Sequence, residues 1–208
     1  MTLLSLLLVA LFTYANATDV KQRLQRVPPP APFFNEAASL GRWFVHYRLA
    51  GCNYASSDSI DDFTQYLVRG RRGMLISHET WRNDICNTLS TQHLRQRTPG
   101  VYTIKDPIGA IWSGTAVYVA IDYKRFKIMW GCTKMSVRGD ACDDPFLNVY
   151  TRSPKPDPLT FAAVNDALQQ IFGISLGSLP RTIHRKPCRG FAPRMRGGKG
   201  GKGGKGIY

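Results

Sequence analysis

Residues 41–49 alternate without a break. Trp43, Val45, Tyr47 and Leu49 fall on one side, and Phe44, His46 and Arg48 on the other. A period of two built from aromatic and β-branched residues is the mark of a half-buried strand. Further segments of this kind follow at short intervals, at 63–68, 74–81, 101–105, 114–121, 125–130 and 146–151. The first two flank Arg69-Gly70-Arg71-Arg72-Gly73, a hairpin turn. Residues 86–100 carry a weaker signal and read poorly as strand. Many short strands at hairpin spacing predict an all-β chain, either a sandwich or a barrel built up and down.

One helix interrupts the pattern, late. Asp157-Pro158 supplies an N-cap and a proline at the first helical position. Phe161, Val164, Leu168, Ile171 and Phe172 then recur at helical spacing, and Gly173 can end the run. A single amphipathic helix after so many strands must lay its apolar stripe on the outside of the sheet.

The two ends differ from this body. Residues 3–12 are a nearly unbroken apolar run, short for a membrane span, and Ala15-Asn16-Ala17 follows as a small-x-small cleavage site. A signal peptide over residues 1–17 and secretion are expected. Residues 18–32 end in Val-Pro-Pro-Pro-Ala-Pro and read as a Pro-rich extended leader outside the core. Residues 189–208 are Gly/Lys-rich with no apolar cluster, so nothing offsets the entropy of ordering them, and a disordered basic tail is expected. The formal net charge is +14, from 28 Lys and Arg against 14 Asp and Glu. Nine of those cations lie in residues 181–208, which hold no acid. A tail of this kind points to an anionic polysaccharide, a mineral or an acidic matrix as partner of residues 189–208. Nucleic acid has the charge in its favour but no recognition motif, and is not expected.

The residues that usually carry chemistry are sparse. Cys52, Cys86, Cys132, Cys142 and Cys188 include no Cys-x-x-Cys pair. In a secreted chain their odd count predicts two bridges and one leftover thiol, and the residues alone do not fix the pairs. His46, His78, His93 and His184 stand at no metal-ligand spacing. No Ser-His-Asp or Cys-His arrangement can be drawn. No catalytic residue, metal or cofactor is expected. Arg138-Gly139-Asp140 matches the integrin-binding tripeptide between Cys132 and Cys142. Gly-Asp is equally ordinary turn chemistry, and integrin is not an expected partner.

Three stretches, in order, resemble the lipocalin family. Gly41-Arg42-Trp43 resembles the Gly-x-Trp signature of its first strand. The run from Ala120 to Cys132, with Ile121-Asp122-Tyr123 at its turn, resembles the Thr-Asp-Tyr turn and the strand leaving it, with Ile121 where Thr is usual. Asn148-Val149-Tyr150-Thr151-Arg152-Ser153-Pro154 is similar to the last strand, whose Arg lies over the signature Trp. The likeness covers residues 33–188 and is closest to the apolipoprotein D and retinol-binding branch.

The resemblance implies an eight-stranded antiparallel up-and-down barrel, closed at one end, with one C-terminal α-helix packed outside. Gly41, Trp43 and Arg152 would form a structural floor, where a guanidinium over an indole is a favourable contact. Parity from Trp43 turns Val45 and Tyr47 inward, and the resemblance adds Tyr118, Met129, Phe146, Asn148 and Tyr150 as ligand-binding positions. It also implies bridges Cys132–Cys142 and Cys86–Cys188 with Cys52 unpaired, while Cys52–Cys188 stays open. Lipocalins with enzymatic activity use a nucleophilic cysteine early in the chain. Cys52, after the first strand, is in the wrong place, so the chain is read as a non-enzyme. The implied function is a secreted carrier of a small hydrophobic ligand held in the barrel. The alternative is a secreted extracellular or biomineral (shell) matrix protein, with the barrel as scaffold and the tail on an anionic surface.

Overall fold

The computed structural model describes residues 19–49, 60–71, 74–105, 113–186 and 188. The expected signal peptide (1–17), Cys52 and the expected basic tail (189–208) lie outside those residues. Eight strands form one closed antiparallel barrel in sequence order: β1 (Gly41–Leu49), β2 (Asp61–Arg69), β3 (Leu75–Arg82), β4 (Cys86–Arg95), β5 (Val101–Lys105), β6 (Ser113–Asp122), β7 (Phe126–Cys132) and β8 (Pro145–Thr151). Pairing of β1 with β8 closes it, so no sheet edge is left for another chain to extend. A short helix, α1 (Glu36–Ser39), precedes β1, and α2 (Pro158–Phe172) follows β8.

The helix forms where its punctuation places it. Asp157 caps α2 by accepting from the Thr160 N–H at 2.8 Å, Pro158 opens it, and Gly173 ends it in the left-handed conformation. Thr160, Val164, Leu168 and Phe172 are its buried stripe. That stripe covers the outer face of β6–β8, from which Val119, Ile128, Trp130 and Val149 project into a core outside the barrel. A second core fills the interior, with Trp43, Phe63, Leu67, Tyr102, Met129 and Phe146 among its members. Strand β7 is buried on both faces as a result.

Two features differ from the sequence expectation. Cys86–Arg95, which reads poorly as strand, is a ten-residue strand paired with β3 over Cys86–His93 and with β5 over Gln92–Arg95. The ladder on each side supplies what its polar composition does not. The Pro-rich leader is also no loose extension. Residues 19–23 are helical. Val20 and Leu24 are buried in the outer core, and the Leu24 carbonyl accepts from the Trp130 indole at 2.8 Å. Burying Leu24 and satisfying an otherwise orphaned indole N–H outweighs the entropy of ordering the segment.

Two disulfides hold the rest. Cys132–Cys142 closes the β7–β8 loop, and Cys86–Cys188 ties the start of β4 to the chain beyond α2.

Candidate functional site

The closed end of the barrel is built around Trp43. Its indole N–H donates to the Ser39 carbonyl at 2.8 Å, so α1 is fixed across the floor. The Arg152 guanidinium lies 3.6 Å from the ring centroid. It donates to the carbonyls of Tyr123, Leu40, Arg42 and Ala38 at 2.9–3.0 Å, joining the β6–β7 turn, β1 and α1 in one network. Gly41 has φ +96°, and a Cβ there would approach Arg152 Nη1 to 3.3 Å. The glycine is required for both reasons. Asp122 holds the turn by accepting from Lys124 N and Arg125 Nε.

Above the floor the interior is not simply apolar. Lys127, fully buried, points inward on the same side of β7 as Met129. Its ammonium lies 4.7 Å from the Trp43 ring, 5.0 Å from Tyr118 and 4.5 Å from Tyr150. It donates to Gln65 Oε1 at 2.5 Å. Gln65 in turn donates to Ser77 Oγ at 2.9 Å and Glu79 Oε1 at 3.2 Å, and Ser77 donates to Glu79 at 3.1 Å. A chain of hydrogen bonds thus runs across three strands from a lysine to a carboxylate. Burial, and then the charge of Arg152, hold the Lys127 amine well below its usual value, while Glu79 opposes them. His93 is pushed down to about 3 by burial and by Lys127, so its ring is neutral at ordinary pH.

Two polar atoms in this interior have no partner among the described residues. The Tyr118 hydroxyl is wholly buried, with its ring stacked on Phe34 at 5.2 Å. His93 Nδ1 is the other; its Nε2 lies 3.2 Å from Thr91 Oγ1. An unsatisfied buried polar group costs about 1–3 kcal/mol, so such groups are kept where something meets them.

The residues expected to line the pocket divide. Val45, Tyr118, Met129, Phe146 and Tyr150 belong to the interior core, and Asn148 donates to the Tyr150 hydroxyl at 3.2 Å. Phe146 lies flat over Gly131. Tyr47 is corrected: it lies outside, edge-on to Phe161 of α2 at 5.7 Å. A bulge at His46 shifts the register, so that Val45 faces Tyr150 but Tyr47 faces Val149. The freed His46 carbonyl accepts from Thr182 at 2.8 Å, and one extra residue inverts the facing of everything beyond it. Arg48 is buried in its place, its guanidinium 5.8 Å from the Phe63 ring.

The sequence did not place Lys127, Gln65, Ser77, Glu79 or His93 in the barrel interior; His93 was weighed only for metal-ligand spacing. For Lys127 the signal existed, since it shares the parity of Met129. Among the described residues no cluster of His, Cys, Asp or Glu could hold a metal ion. His46 is buried against Phe161 and His184, which depresses it to about 4. Arg138-Gly139-Asp140 lies in the exposed β7–β8 loop, with Asp140 accepting from Ser136 Oγ at 3.0 Å.

The fold built in this way has a counterpart among solved structures. Per a 4, a major allergen from cockroaches, superposes with a TM-score of 0.61 over 77% of this chain and 95% of its own, at 15% identity. The fold is that of a lipocalin. No family model matches the chain, and no curated protein matches it in sequence. Within this barrel a polar network runs from Lys127 through Gln65 and Ser77 to Glu79.

Proposed function

We propose that this lipocalin-fold chain is a secreted carrier of a small, largely apolar molecule bearing one hydrogen-bond-accepting head, and that it is not an enzyme. The observation that carries the reading is the wholly buried Tyr118 hydroxyl, left without a partner beside Lys127. Both groups donate. A carbonyl or carboxylate entering between them would satisfy the hydroxyl, while Val45, Phe63, Met129 and Phe146 supply the apolar wall. Apolar area removed from water contributes about 25 cal/mol per Å², and the head sets orientation. Secretion is supported by the leader sequence at 1–17 and by two disulfides. The placing of those bridges favours the apolipoprotein D and retinol-binding branch.

The test is quenching of intrinsic tryptophan fluorescence by matched series of retinoids and fatty acids, each as acid, alcohol and methyl ester, with sterols and haem alongside. Acids and esters are expected to bind more tightly than the alcohol of the same chain. If none of the compounds binds, the carrier reading is wrong.

A further inference from the structure

The geometry points to a second binding site, outside the barrel at its closed end, for a linear sulfated or carboxylated polysaccharide. The up-and-down topology puts three hairpin tips at that end, and each carries a pair of cations. These are Arg69 and Arg71 at β2–β3, Arg95 and Arg97 at β4–β5, and Lys124 and Arg125 at β6–β7, all exposed. Asp122 is the one acid among the described residues of those tips, and it is bound to Arg125 at 2.7 Å. The acids Asp84, Asp140, Asp143 and Asp144 lie instead in loops at the opposite end. The closed-end tips are therefore dominated by cations, whereas the opposite end is mixed, since Arg82, Lys105, Lys134 and Arg138 stand there with the acids.

A recess of about 420 Å³ opens between two of the tips. Arg69 and Arg95 form its walls, with Phe34 and Tyr102 among the aromatic residues lining it. Arg69 is held 3.5 Å from Glu36, whose other carboxylate oxygen accepts from the Tyr102 hydroxyl at 2.9 Å. Arg95 makes no ion pair among the described residues. A planar guanidinium matches sulfate and carboxylate with two parallel hydrogen bonds, and the Glu36 carboxylate beside Arg69 competes with such an anion. Successive hairpins around the barrel stand about 10 Å apart, two strand spacings, so a chain with repeating anions can meet several tips in turn. The concave, polar-rimmed recess favours such a chain over a membrane. Among the described residues, Phe33, 98% exposed and next in sequence to Phe34 of the recess, is the large apolar side chain a membrane could use there.

The full-length protein is titrated with dextran sulfate over a series of salt concentrations, beside vesicles containing anionic lipid. The pole variant is R69Q/R95Q/R97Q, and the charge-matched control is K199Q/K202Q/K205Q in the tail. The pole variant is expected to lose at least about tenfold in affinity at 0.15 M salt, and its log–log salt slope to fall by about two to three. The tail control should lose less than about threefold. E36Q, which removes a repelling carboxylate and keeps an acceptor for Tyr102, should tighten binding about two- to fivefold. Near-UV circular dichroism and interior-ligand quenching should be unchanged in all three, which separates this site from the barrel. Equal binding by wild type and pole variant, or a tail control that falls as far as the pole variant, would overturn the proposal. Preference for vesicles that is abolished by F33S would also overturn it, in favour of a lipid surface.

Discussion

Gly131→Ala tests the packing of the barrel wall against its contents. A Cβ built at Gly131 falls 1.9 Å from Phe146 Cζ, 2.2 Å from Cε1 and 2.5 Å from Cε2. Carbon atoms rest about 3.5–4.0 Å apart, so the ring must withdraw by roughly 1.5 Å or more. The two residues are directly opposed in the β7–β8 ladder, and neither backbone can yield without breaking the pairing. The ring can move only into the interior. Overpacking of this kind costs about 1–3 kcal/mol, and for a domain of this size each kcal/mol lowers Tm by roughly 2–4 °C. A central expectation is therefore a drop of about 4–8 °C, with weaker interior-ligand quenching because the displaced ring takes the ligand's space. Phe146→Leu alone should cost about 1–2 kcal/mol from the void it leaves. The double variant should lose about 1–2 kcal/mol less than the sum of the two, since the shorter side chain makes room for the methyl group. Thermal and urea unfolding of the four proteins measure this directly. Additivity within about 0.5 kcal/mol would refute the account of Phe146 lying over Gly131.

Lys127→Met should flatten the pH dependence of stability. The native amine is held below the unfolded value near 10.4, so the unfolded chain binds more protons between the two pKa values. Wild-type stability therefore rises with pH through that window, by about 1.4 kcal/mol per unit of depression, and the penalty is complete below the native pKa. The variant's advantage should be greatest at low pH and shrink towards pH 10; parallel urea midpoints across pH 6–10 would contradict this. Tyr118→Phe removes a buried hydroxyl that has no partner, so the ligand-free protein should be unchanged or about 1 kcal/mol more stable. The same variant should bind acids and esters several-fold more weakly, and unaltered quenching curves would count against the proposed head site. Serine substitution of Cys86 and Cys188, 102 residues apart, should cost about 4–5 kcal/mol in the chain-entropy account, against about 3 for the Cys132–Cys142 pair ten residues apart. Denaturant titration ranks them, and a reversed order would put the difference in the native state.

Much of the barrel is local in origin and could be read from the chain. Alternation needs only the backbone's own period of two, so seven of the strands and the shared facing of Trp43 and Val45 are written in adjacent residues, while the inward facing of Met129 and Phe146 comes from the family resemblance. The helix is equally local, with Asp157, Pro158 and Gly173 acting within one turn of where they stand. What depends on partners far away in sequence was not legible. Strand β4 exists because β3 and β5 pair with it, whatever its own polarity. Tyr47 and Arg48 exchange sides because residues 180–184 bond to β1 and hold a bulge at His46. The leader becomes core because Trp130, more than a hundred residues on, offers an indole N–H to Leu24. The interior network and the basic pole are decided in the same way. Lys127, Gln65, Ser77 and Glu79 meet only when the barrel closes, and six cations on three separate turns become one surface only because antiparallel strands return every second turn to the same end.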